Sequence, residues 1–414
     1  MATREARFEK LDARSGLGET GITEISESYE FFSLLFSGMA VGYKPKVRMS
    51  VINDLTGDQR VHRIASTLEN NGYSVKVIGR ILPHSIALTS CPYETHRMKL
   101  WFQRGKLFYL EYNLRLFFYL LFQPVDILHA NDLDTLLANF LLSRLRRKRL
   151  VYDSHEFFTG VPELLDRPMT RSIWEKLEAW IFPKLSYGFT VNQSIADLYR
   201  DKYGIALGVV RNLPISSPVE EVEYSATTRS NILIYQGALN MGRGLELMIQ
   251  AMNYLPNHRL WIVGRGDIEE QLRKLAASQR HSDRIEFKGF VAFENLSKLT
   301  RKAALGFSLE EDLGENYRYA SPNKVYDYIQ AGVPVIVSDL PEMGRIIRQH
   351  KVGQILKTVR RTPRGLASQV LGLLNDPNLY QAYKLACYQA AELLNWEQEQ
   401  TRLLEIYDKA FPLE

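Results

Sequence analysis

The feature that most constrains this sequence is an alternation of short apolar segments with stretches of helical periodicity. From Val47 onward, segments such as VRMSVIND, YSVKVIG, VDILHAND and RLVYDSHE are apolar and end in polar residues, as buried parallel strands do. Between the first two lies DQRVHRIASTLENNG, which places apolar residues on one helical face and ends at a glycine. This alternation predicts an α/β protein with a doubly wound parallel sheet.

Residues 214–230 interrupt the alternation. Their sequence, PISSPVEEVEYSATTRS, is polar, carries two prolines and has no periodicity, which is typical of an interdomain linker. A second strand–helix series follows it, and a length of 414 residues suits two domains. We therefore expect an N-terminal extension without an assigned role (1–45), a Rossmann-like domain (46–213), the linker (214–230), a second Rossmann-like domain (231–395) and a C-terminal amphipathic helix that packs back towards the first domain (396–414).

The composition is that of an ordinary globular protein, with 45% hydrophobic and 24% charged residues and a net charge of +5. Cys91 and Cys387 lie far apart and form no metal-ligand or redox spacing. The N-terminal residues lack the apolar region of a signal peptide, and no apolar run reaches the roughly 18–20 residues of a spanning helix. These observations predict a cytoplasmic protein and leave open a position at the inner face of the cell membrane.

The stretch ASPNKVYDYIQAGVPVIVSD predicts a helix whose beginning can bind an anion. Ser321 would cap the helix, Pro322 would take its first position, and Asn323 and Lys324 would fill the first turn. Free N–H groups and the helix dipole favour an anion there, and Asp327, one turn further on, could accept hydrogen bonds from sugar hydroxyls. A well-capped helix with a solvated lysine explains the same residues equally well.

A glycine-bearing loop, YQGALNMGRGLE, follows the first strand of the second series. Gly237 and Gly244 would let the backbone approach a phosphate, and Arg243 could bind it bidentately; a plain turn would also explain the glycines. The segment IVGRGD resembles only part of a dinucleotide fingerprint, so we expect no nicotinamide cofactor.

Polar residues follow two apolar strands of the first series. They are Asp153, His155 and Glu156 in VYDSHEFF, and His129, Asn131 and Asp132 in HANDLD. Ligands of open α/β sheets bind beyond the carboxyl ends of the strands, and a histidine there can donate to a phosphate or transfer a proton. Structural hydrogen bonding and helix capping remain equally good explanations.

Basic and aromatic residues interleave between Arg97 and Phe122, and the cluster SRLRRKR follows at residues 143–149. This composition is typical of a helix at a membrane interface, although a partly buried helix with a solvated basic face would look the same. We expect no nucleic-acid binding, because no such motif accompanies the charge.

The order of these motifs resembles glycosyltransferase family 4, the retaining, metal-independent, nucleotide-sugar-dependent transferases of the GT-B fold. The similarity runs from about Val47 to Phe411. It is carried by NDLTGDQRVHRIASTLENNGYSVKVIG, DSHE, VVRNLP, YQGALNMGRGLELMIQAM, LWIVGRGD and SPNKVYDYIQAGVPVIVSD. The resemblance implies two Rossmann-like domains that face a cleft, with the donor in the C-terminal domain, and neither a cofactor nor a metal.

The resemblance also implies roles for individual residues. His155, Arg243 and Lys324 would be catalytic. The donor would be bound by Gly57, Gly237, Arg243, Gly244, Tyr319, Ser321, Asn323, Lys324 and Asp327. From their position after the strands of the first series, Asp132, Asp153 and Glu156 are the candidates for the acceptor side. In this family, the residue matched by Arg243 contacts the diphosphate, and the one matched by Asp327 binds ribose hydroxyls.

Two positions depart from the family pattern. Tyr319 stands where the first glutamate of the E-x7-E motif belongs, with Glu310, Glu311 and Glu315 nearby, and Ala238 stands where many members carry an arginine. The predicted function is transfer of a sugar, of the hexose type, from a nucleotide-sugar to a glycan or lipid-linked acceptor in cell-surface polysaccharide or glycolipid biosynthesis. A nucleotide-sugar epimerase or hydrolase of the same fold and a non-catalytic nucleotide-sugar-binding subunit are the alternatives.

Overall fold

Two parallel β-sheets organise the chain in a computed structural model that describes residues 43–412, except 84, 86, 89, 162–163, 165–166 and 217–229. The N-terminal extension predicted for residues 1–45 and the linker predicted for residues 214–230 therefore lie mostly outside the described residues. Residues Lys46–Pro412 form one unit, which contains both sheets.

The first sheet has seven strands in the order β3-β2-β1-β4-β5-β6-β7, and all neighbouring strands are parallel. In chain order these strands are β1 (Lys46–Ser50), β2 (Ser74–Arg80), β3 (Glu94–Met98), β4 (Ile127–Asn131), β5 (Arg149–Ser154), β6 (Tyr187–Thr190) and β7 (Gly208–Val209). The helices of this part of the chain are α1 (Gln59–Asn70), α2 (Gly105–Leu121), α3 (Asp132–Arg146), α4 (Pro168–Ile181) and α5 (Gln193–Tyr203). We call the first sheet with these helices the first lobe.

The second sheet has six parallel strands in the order β10-β9-β8-β11-β12-β13. Its strands are β8 (Ile232–Gln236), β9 (Arg259–Val263), β10 (Ile285–Gly289), β11 (Leu305–Ser308), β12 (Val335–Ser338) and β13 (Gly353–Leu356). The helices that follow β8 are α6 (Leu245–Ala251), α7 (Glu269–Ala277), α8 (Phe293–Thr300), α9 (Glu315–Arg318), α10 (Asn323–Gln330), α11 (Pro341–His350), α12 (Pro363–Leu374), α13 (Pro377–Leu393) and α14 (Trp396–Ala410). We call the second sheet with helices α6–α13 the second lobe.

Both sheets are covered by helices, which explains the continuous apolar strands. Every residue of β4, β11 and β12 is buried, as expected for parallel strands with two covered faces. Strand order reverses between β1 and β4 in the first sheet and between β8 and β11 in the second. A crevice opens at the carboxyl ends of the strands where the order reverses, so the fold places one crevice in each lobe.

The C-terminal helix α14 lies against the first lobe. The Trp396 indole N–H donates to Thr67 Oγ1 at 2.9 Å, and the Tyr407 hydroxyl is hydrogen-bonded to His129. Trp396, Leu403 and Tyr407 belong to the apolar cluster that covers one face of the first sheet. Burial of such side chains contributes about 1.5–3 kcal/mol each. These contacts hold α14 against the first lobe.

The basic, aromatic stretch between Arg97 and Phe122 is not one continuous helix. Its first residues complete the edge strand β3, and only Gly105–Leu121 is helical. Tyr112, Leu116 and Leu120 of α2 are fully buried in the core of the first lobe, because apolar side chains on one face of α2 cover the sheet. Among the described residues, no helix is both long and apolar enough to cross a bilayer.

Candidate active site

A cavity of about 1230 Å³ lies between the two lobes, beyond the carboxyl ends of both sheets. The first lobe contributes residues 53, 54 and 56–60 after β1, together with His155 and Glu156 after β5. The second lobe contributes Gln236, Gly237 and Ala238 at the end of β8, Arg243, and residues 320–324 around the start of α10. The fold thus brings both crevices to one site.

Two cations share one buried carboxylate on the second-lobe side. Lys324 Nζ lies 2.8 Å from Glu310 Oε1, and an Arg243 guanidinium nitrogen lies 3.5 Å from the same oxygen. Ser308 Oγ donates to the other Glu310 oxygen at 2.7 Å. Burial alone would raise the Glu310 pKa, but Lys324 and Arg243 outweigh burial and hold the pKa below its usual range. The group is therefore two cations and one carboxylate, and it carries one net positive charge at the cavity wall.

Gly237 makes room for Lys324. Its φ of 135° suits only glycine, and a Cβ there would lie 3.3 Å from Lys324 Cε. Lys324 Nζ also lies 4.3 Å from the centroid of the Tyr235 ring, a cation–π contact that further fixes it. Gly244, predicted to bind the donor, does not line the cavity. A Cβ on Gly244 would meet the Leu309 carbonyl oxygen at 2.3 Å, so this glycine permits close contact between two loops.

Helix α10 begins one residue later than predicted. Pro322 is its N-cap, with an extended ψ of 130°, and no side chain caps the helix. The prediction that Ser321 caps it is wrong, because the Ser321 hydroxyl pairs with the Tyr326 hydroxyl at 2.8 Å. Asn323 and Lys324 form the first turn and line the cavity together with Ser321. An uncapped helix start leaves backbone N–H donors available to a ligand.

Asp327 lines the same wall, one turn into α10. Its Oδ2 accepts a hydrogen bond from Gln236 Nε2 at 2.9 Å, and the side-chain Oε1 of Gln236 accepts one from Thr300 Oγ1 at 2.7 Å. Burial raises the Asp327 pKa to about 6 against the opposing effects of Gln236, Arg63 and Lys324. This carboxyl group is positioned by a fixed amide and can accept hydrogen bonds from hydroxyl groups of a ligand.

His155 lines the cavity from the first lobe and is held between two carboxylates. Nδ1 lies 3.2 Å from Asp132 Oδ2, and Nε2 lies 3.1 Å from Asp153 Oδ2. Burial would lower the His155 pKa, but Asp132 and Asp153 outweigh it and raise the pKa to about 10. His155 is therefore an imidazolium at neutral pH, with both ring nitrogens donating to the protein. This geometry favours a fixed positive charge over a proton-transferring group.

The two carboxylates that hold His155 do not line the cavity, in contrast to their predicted place on the acceptor side. Asp153 is fully buried and receives two hydrogen bonds from Arg60, at 2.7 and 2.9 Å. Asp132 begins α3 with a φ of 56°, and its Oδ1 accepts from the His155 backbone N–H at 2.8 Å. Asp153 is thus used in an ion pair with the buried Arg60, and Asp132 is used to hold His155.

Glu156 does line the cavity, whereas Tyr319 does not. Glu156 Oε2 accepts a hydrogen bond from Asn316 Nδ2 of the second lobe at 2.8 Å. Tyr319 packs against the apolar core of the first lobe, and its carbonyl accepts from Asn192 Nδ2 at 2.8 Å. Tyr319, predicted to bind the donor, therefore has its ring in the contact between the lobes and outside the cavity lining.

Gly57 and Ala238 lie on opposite walls of the cavity. A Cβ at Gly57 would meet no atom within 4 Å, so the loop after β1 is open at this point. Ala238 provides no cation where many family members carry an arginine. The positive charge on the second-lobe side consequently comes from Arg243 and Lys324.

Three residues of this arrangement were not singled out from the sequence: Arg60, Gln236 and Asn316. Arg60 lies on α1, one turn before Ile64 at the edge of the apolar face, and is only 3% exposed. Of the three, Gln236 could have been found from the sequence, because it is a polar residue at the end of the apolar strand NILIYQG. In the described parts of the chain, no group of three or more His, Cys, Asp or Glu side chains is arranged to hold a metal ion.

Comparison with known proteins places both lobes in one family. The family model described as Glycosyltransferase Family 4 matches residues 58–213, and the model described as Glycosyl transferases group 1 matches residues 230–376. A phosphatidyl-myo-inositol mannosyltransferase of Mycobacterium leprae is 26% identical over 170 residues, which are 40% of this chain and 43% of that protein. The chain thus spans less than half of the length of this curated relative.

Solved structures of similar fold cover nearly the whole chain. Sucrose-phosphate synthase of Thermosynechococcus elongatus superposes with a TM-score of 0.70 at 17% identity, over 90% of this chain and all of that one. Anabaena HepE in complex with UDP-glucose gives a TM-score of 0.67 at 14% identity, over 88% of this chain and 99% of that one. The two facing parallel-sheet lobes are those of GT-B glycosyltransferases, and the chain belongs to glycosyltransferase family 4.

Proposed function

We propose that this protein is a retaining, metal-independent hexosyltransferase that uses a nucleotide-diphosphate sugar. Its acceptor is a glycan or a lipid-linked molecule in cell-surface polysaccharide or glycolipid biosynthesis, and it works at the inner face of the cell membrane. The observation that carries the proposal is the group formed by Arg243, Glu310 and Lys324 beside the uncapped start of α10. A net positive charge and free N–H donors at one wall are suited to a diphosphate.

Two relatives support the donor and the acceptor. The HepE structure of similar fold contains UDP-glucose, a nucleotide-diphosphate sugar. The mycobacterial relative is named for transfer of mannose to a phosphatidylinositol, a lipid acceptor. The proposal extends both properties to this chain.

The cationic group would act on the leaving diphosphate. Cleavage of the bond between the sugar and the diphosphate develops negative charge on the leaving oxygen, next to Lys324, Arg243 and the first turn of α10. Glu310 fixes the two cations before the ligand arrives, so little reorganisation accompanies the reaction. Loss of one preorganised donor of this kind typically costs about 10²- to 10³-fold in rate.

The carboxylates of the cavity fit a reaction without a covalent sugar–enzyme intermediate. Among the described residues, those that line it are Asp54, Asp58, Glu156 and Asp327. Each accepts a hydrogen bond from another group of the protein. Hydrogen bonding therefore does not single out one of the four as a nucleophile, and we propose attack by the acceptor from the face of the leaving diphosphate, with retained configuration.

The test is incubation of the purified protein with a panel of UDP-, GDP- and ADP-sugars in EDTA, with and without a membrane lipid extract, followed by NMR. We expect a glycosylated product with the anomeric configuration of the donor, formed only with an acceptor. Lys324→Met should lower the rate by about 10²-fold or more, whereas Lys302→Met, an exposed lysine of the same lobe, should not. Isomerised or hydrolysed donor without acceptor would indicate an epimerase or hydrolase, and binding without turnover a non-catalytic subunit.

A further inference from the structure

A second cavity, of about 300 Å³, lies at the opposite edge of the first sheet. Arg149 and Tyr187, the first residues of β5 and β6, line it, so it lies at the amino ends of the strands, away from the active-site cavity. Its wall contains five cationic residues: Arg144, Arg147, Lys148, Arg149 and Lys184. No role in sugar transfer requires positive charge at this edge.

The charge of this cationic cavity is largely uncompensated. Of the five cations, Lys148 alone has a carboxylate partner among the described residues, Asp126 at 3.2 Å. Arg144 lies over the ring of Phe140 at 5.4 Å, and Lys184 lies over the ring of Trp180 at 4.9 Å. Like charges gathered around one cavity repel each other, and a bound anion removes that cost.

The backbone conformation at Arg147 is a further argument for an anion site. This residue ends α3 in the left-handed conformation, with a φ of 53°. Glycine is the usual residue at such a helix end, because a side chain is disfavoured there. An exposed arginine at this position brings a cation to the cavity at the expense of local backbone energy.

Exposed apolar side chains stand at the same edge. Phe122 follows the end of α2 and is 80% exposed, Leu145 in the last turn of α3 is 63% exposed, and Trp180 in the last turn of α4 is 45% exposed. Arg146, the last residue of α3, donates hydrogen bonds to the Leu120 and Gln123 carbonyls at the end of α2 and so connects the two helix ends. Exposure of large apolar side chains to water beside an uncompensated cationic cavity is unfavourable. The interfacial layer of an anionic membrane accommodates both the apolar side chains and the positive charge.

Helix α2 carries a matching stripe. Leu107, Leu110, Leu114 and Phe118 recur at helical spacing on its outer face, and each is at least half exposed. The stripe runs along the helix for about 17 Å and leads to Phe122. The apolar surface is therefore continuous in sequence with the edge that holds the cationic cavity.

We propose that the cationic cavity binds the phosphate of an anionic phospholipid headgroup, while Phe122, Leu145 and Trp180 enter the interfacial layer beside it. The first lobe is thereby docked on the membrane, with lipid bound at a site separate from that of the donor. This inference rests on the membrane location in the proposed function, and it adds the ligand class and the residues that bind it.

The experiment is sedimentation of the full-length protein with phosphatidylcholine vesicles and with vesicles that contain phosphatidylglycerol. The variant Arg147→Ala/Arg149→Ala/Lys184→Ala removes three exposed cations of the cavity. The matched control, Lys357→Ala/Arg360→Ala/Arg364→Ala, removes three exposed cations of the second lobe. At about fivefold per charge, the cavity variant should bind anionic vesicles about a hundredfold more weakly, and the control should bind like the wild type.

Two further measurements identify the ligand. Phe122→Ser/Leu145→Ser should also weaken vesicle binding, and the weakening should persist at high salt, because it removes apolar contact. Titration with inorganic phosphate separates a soluble anion from a lipid: phosphate binding without vesicle binding would overturn the lipid assignment. Equal weakening by the cavity variant and the control would also overturn the proposal, because it would show unspecific attraction.

Nucleotide binding is measured on the same samples. Retained nucleotide binding in a protein that binds no vesicles would reject this inference and leave the proposed sugar transfer intact. Vesicle binding that depends on the cavity, in a protein that binds no nucleotide, would reject the donor site and leave the docking site intact.

Discussion

Glu310→Gln is the substitution whose effect follows most directly from the geometry of the site. Glu310 is 1% exposed, and its carboxylate lies 2.8 Å from Lys324 and 3.5 Å from Arg243. Removal of one partner from a buried ion pair typically costs about 3–5 kcal/mol. We expect a loss of about 3 kcal/mol in the free energy of unfolding, at the lower end, because the Arg243 side chain is 25% exposed and water can reach it.

The assay is urea unfolding at pH 7, with Glu311→Gln as the matched control on the same loop. Glu311 pairs with Arg361 at 3.4 Å and its side chain is 43% exposed, so its loss should cost less than about 1 kcal/mol. The Glu310 pKa is held below its usual range. The carboxylate therefore contributes stability above the pKa of an unfolded glutamate, and this contribution is lost as the pH falls through the lower folded value.

The same variant also tests the diphosphate site. Without Glu310, Lys324 and Arg243 face each other with no anion, and a nucleoside diphosphate would take the place of the missing carboxylate. Addition of the diphosphate that the wild type binds should therefore raise the Tm of Glu310→Gln more than that of the wild type. Equal destabilisation by Glu310→Gln and Glu311→Gln, or a smaller Tm rise in Glu310→Gln, would refute the reasoning.

Three further predictions follow from other contacts. NMR titration should find His155 protonated up to a pH of about 10; since its folded pKa exceeds the unfolded value of about 6.5, its stabilising effect is complete below pH 6.5 and fades towards pH 10, a fade that His155→Gln should abolish. Arg60→Met leaves the buried Asp153 carboxylate without its bidentate partner and should lower the free energy of unfolding by about 3–5 kcal/mol in urea, and a loss below about 1 kcal/mol would contradict this. Gly237→Ala, at a φ of 135°, should displace Lys324 and weaken nucleotide binding in calorimetry by at least about tenfold, whereas Gly372→Ala, which meets no atom within 4 Å, should leave it unchanged.

The architecture was predictable because its signals are local. Alternating strands and helices, polar strand ends and glycine-bearing loops are written in consecutive residues, and the two parallel sheets confirm the α/β prediction. Arg243 and Lys324 were found in the same way, because each lies in a short segment with a recognisable pattern. The structure brings both to one carboxylate.

The parts that sequence reasoning missed depend on distant contacts. Arg60 pairs with Asp153, 93 residues away, so a charged side chain is buried and a candidate acceptor-side carboxylate is already used in an ion pair. Tyr319 fills a contact with the other lobe, which spacing within one motif does not show. Helix α10 begins one residue later than predicted, because Pro322 adopts an extended conformation.

The central claim is that the cationic wall binds the diphosphate of a nucleotide-sugar without a metal. The most direct test is calorimetric titration of the wild type, Arg243→Ala and Lys324→Ala with UDP, GDP, ADP and their common sugars in EDTA. The account predicts that one nucleotide binds in EDTA and that each substitution weakens its binding at least about tenfold. A folded wild-type protein that binds none of these nucleotides, or binds one equally well after both substitutions, would contradict it.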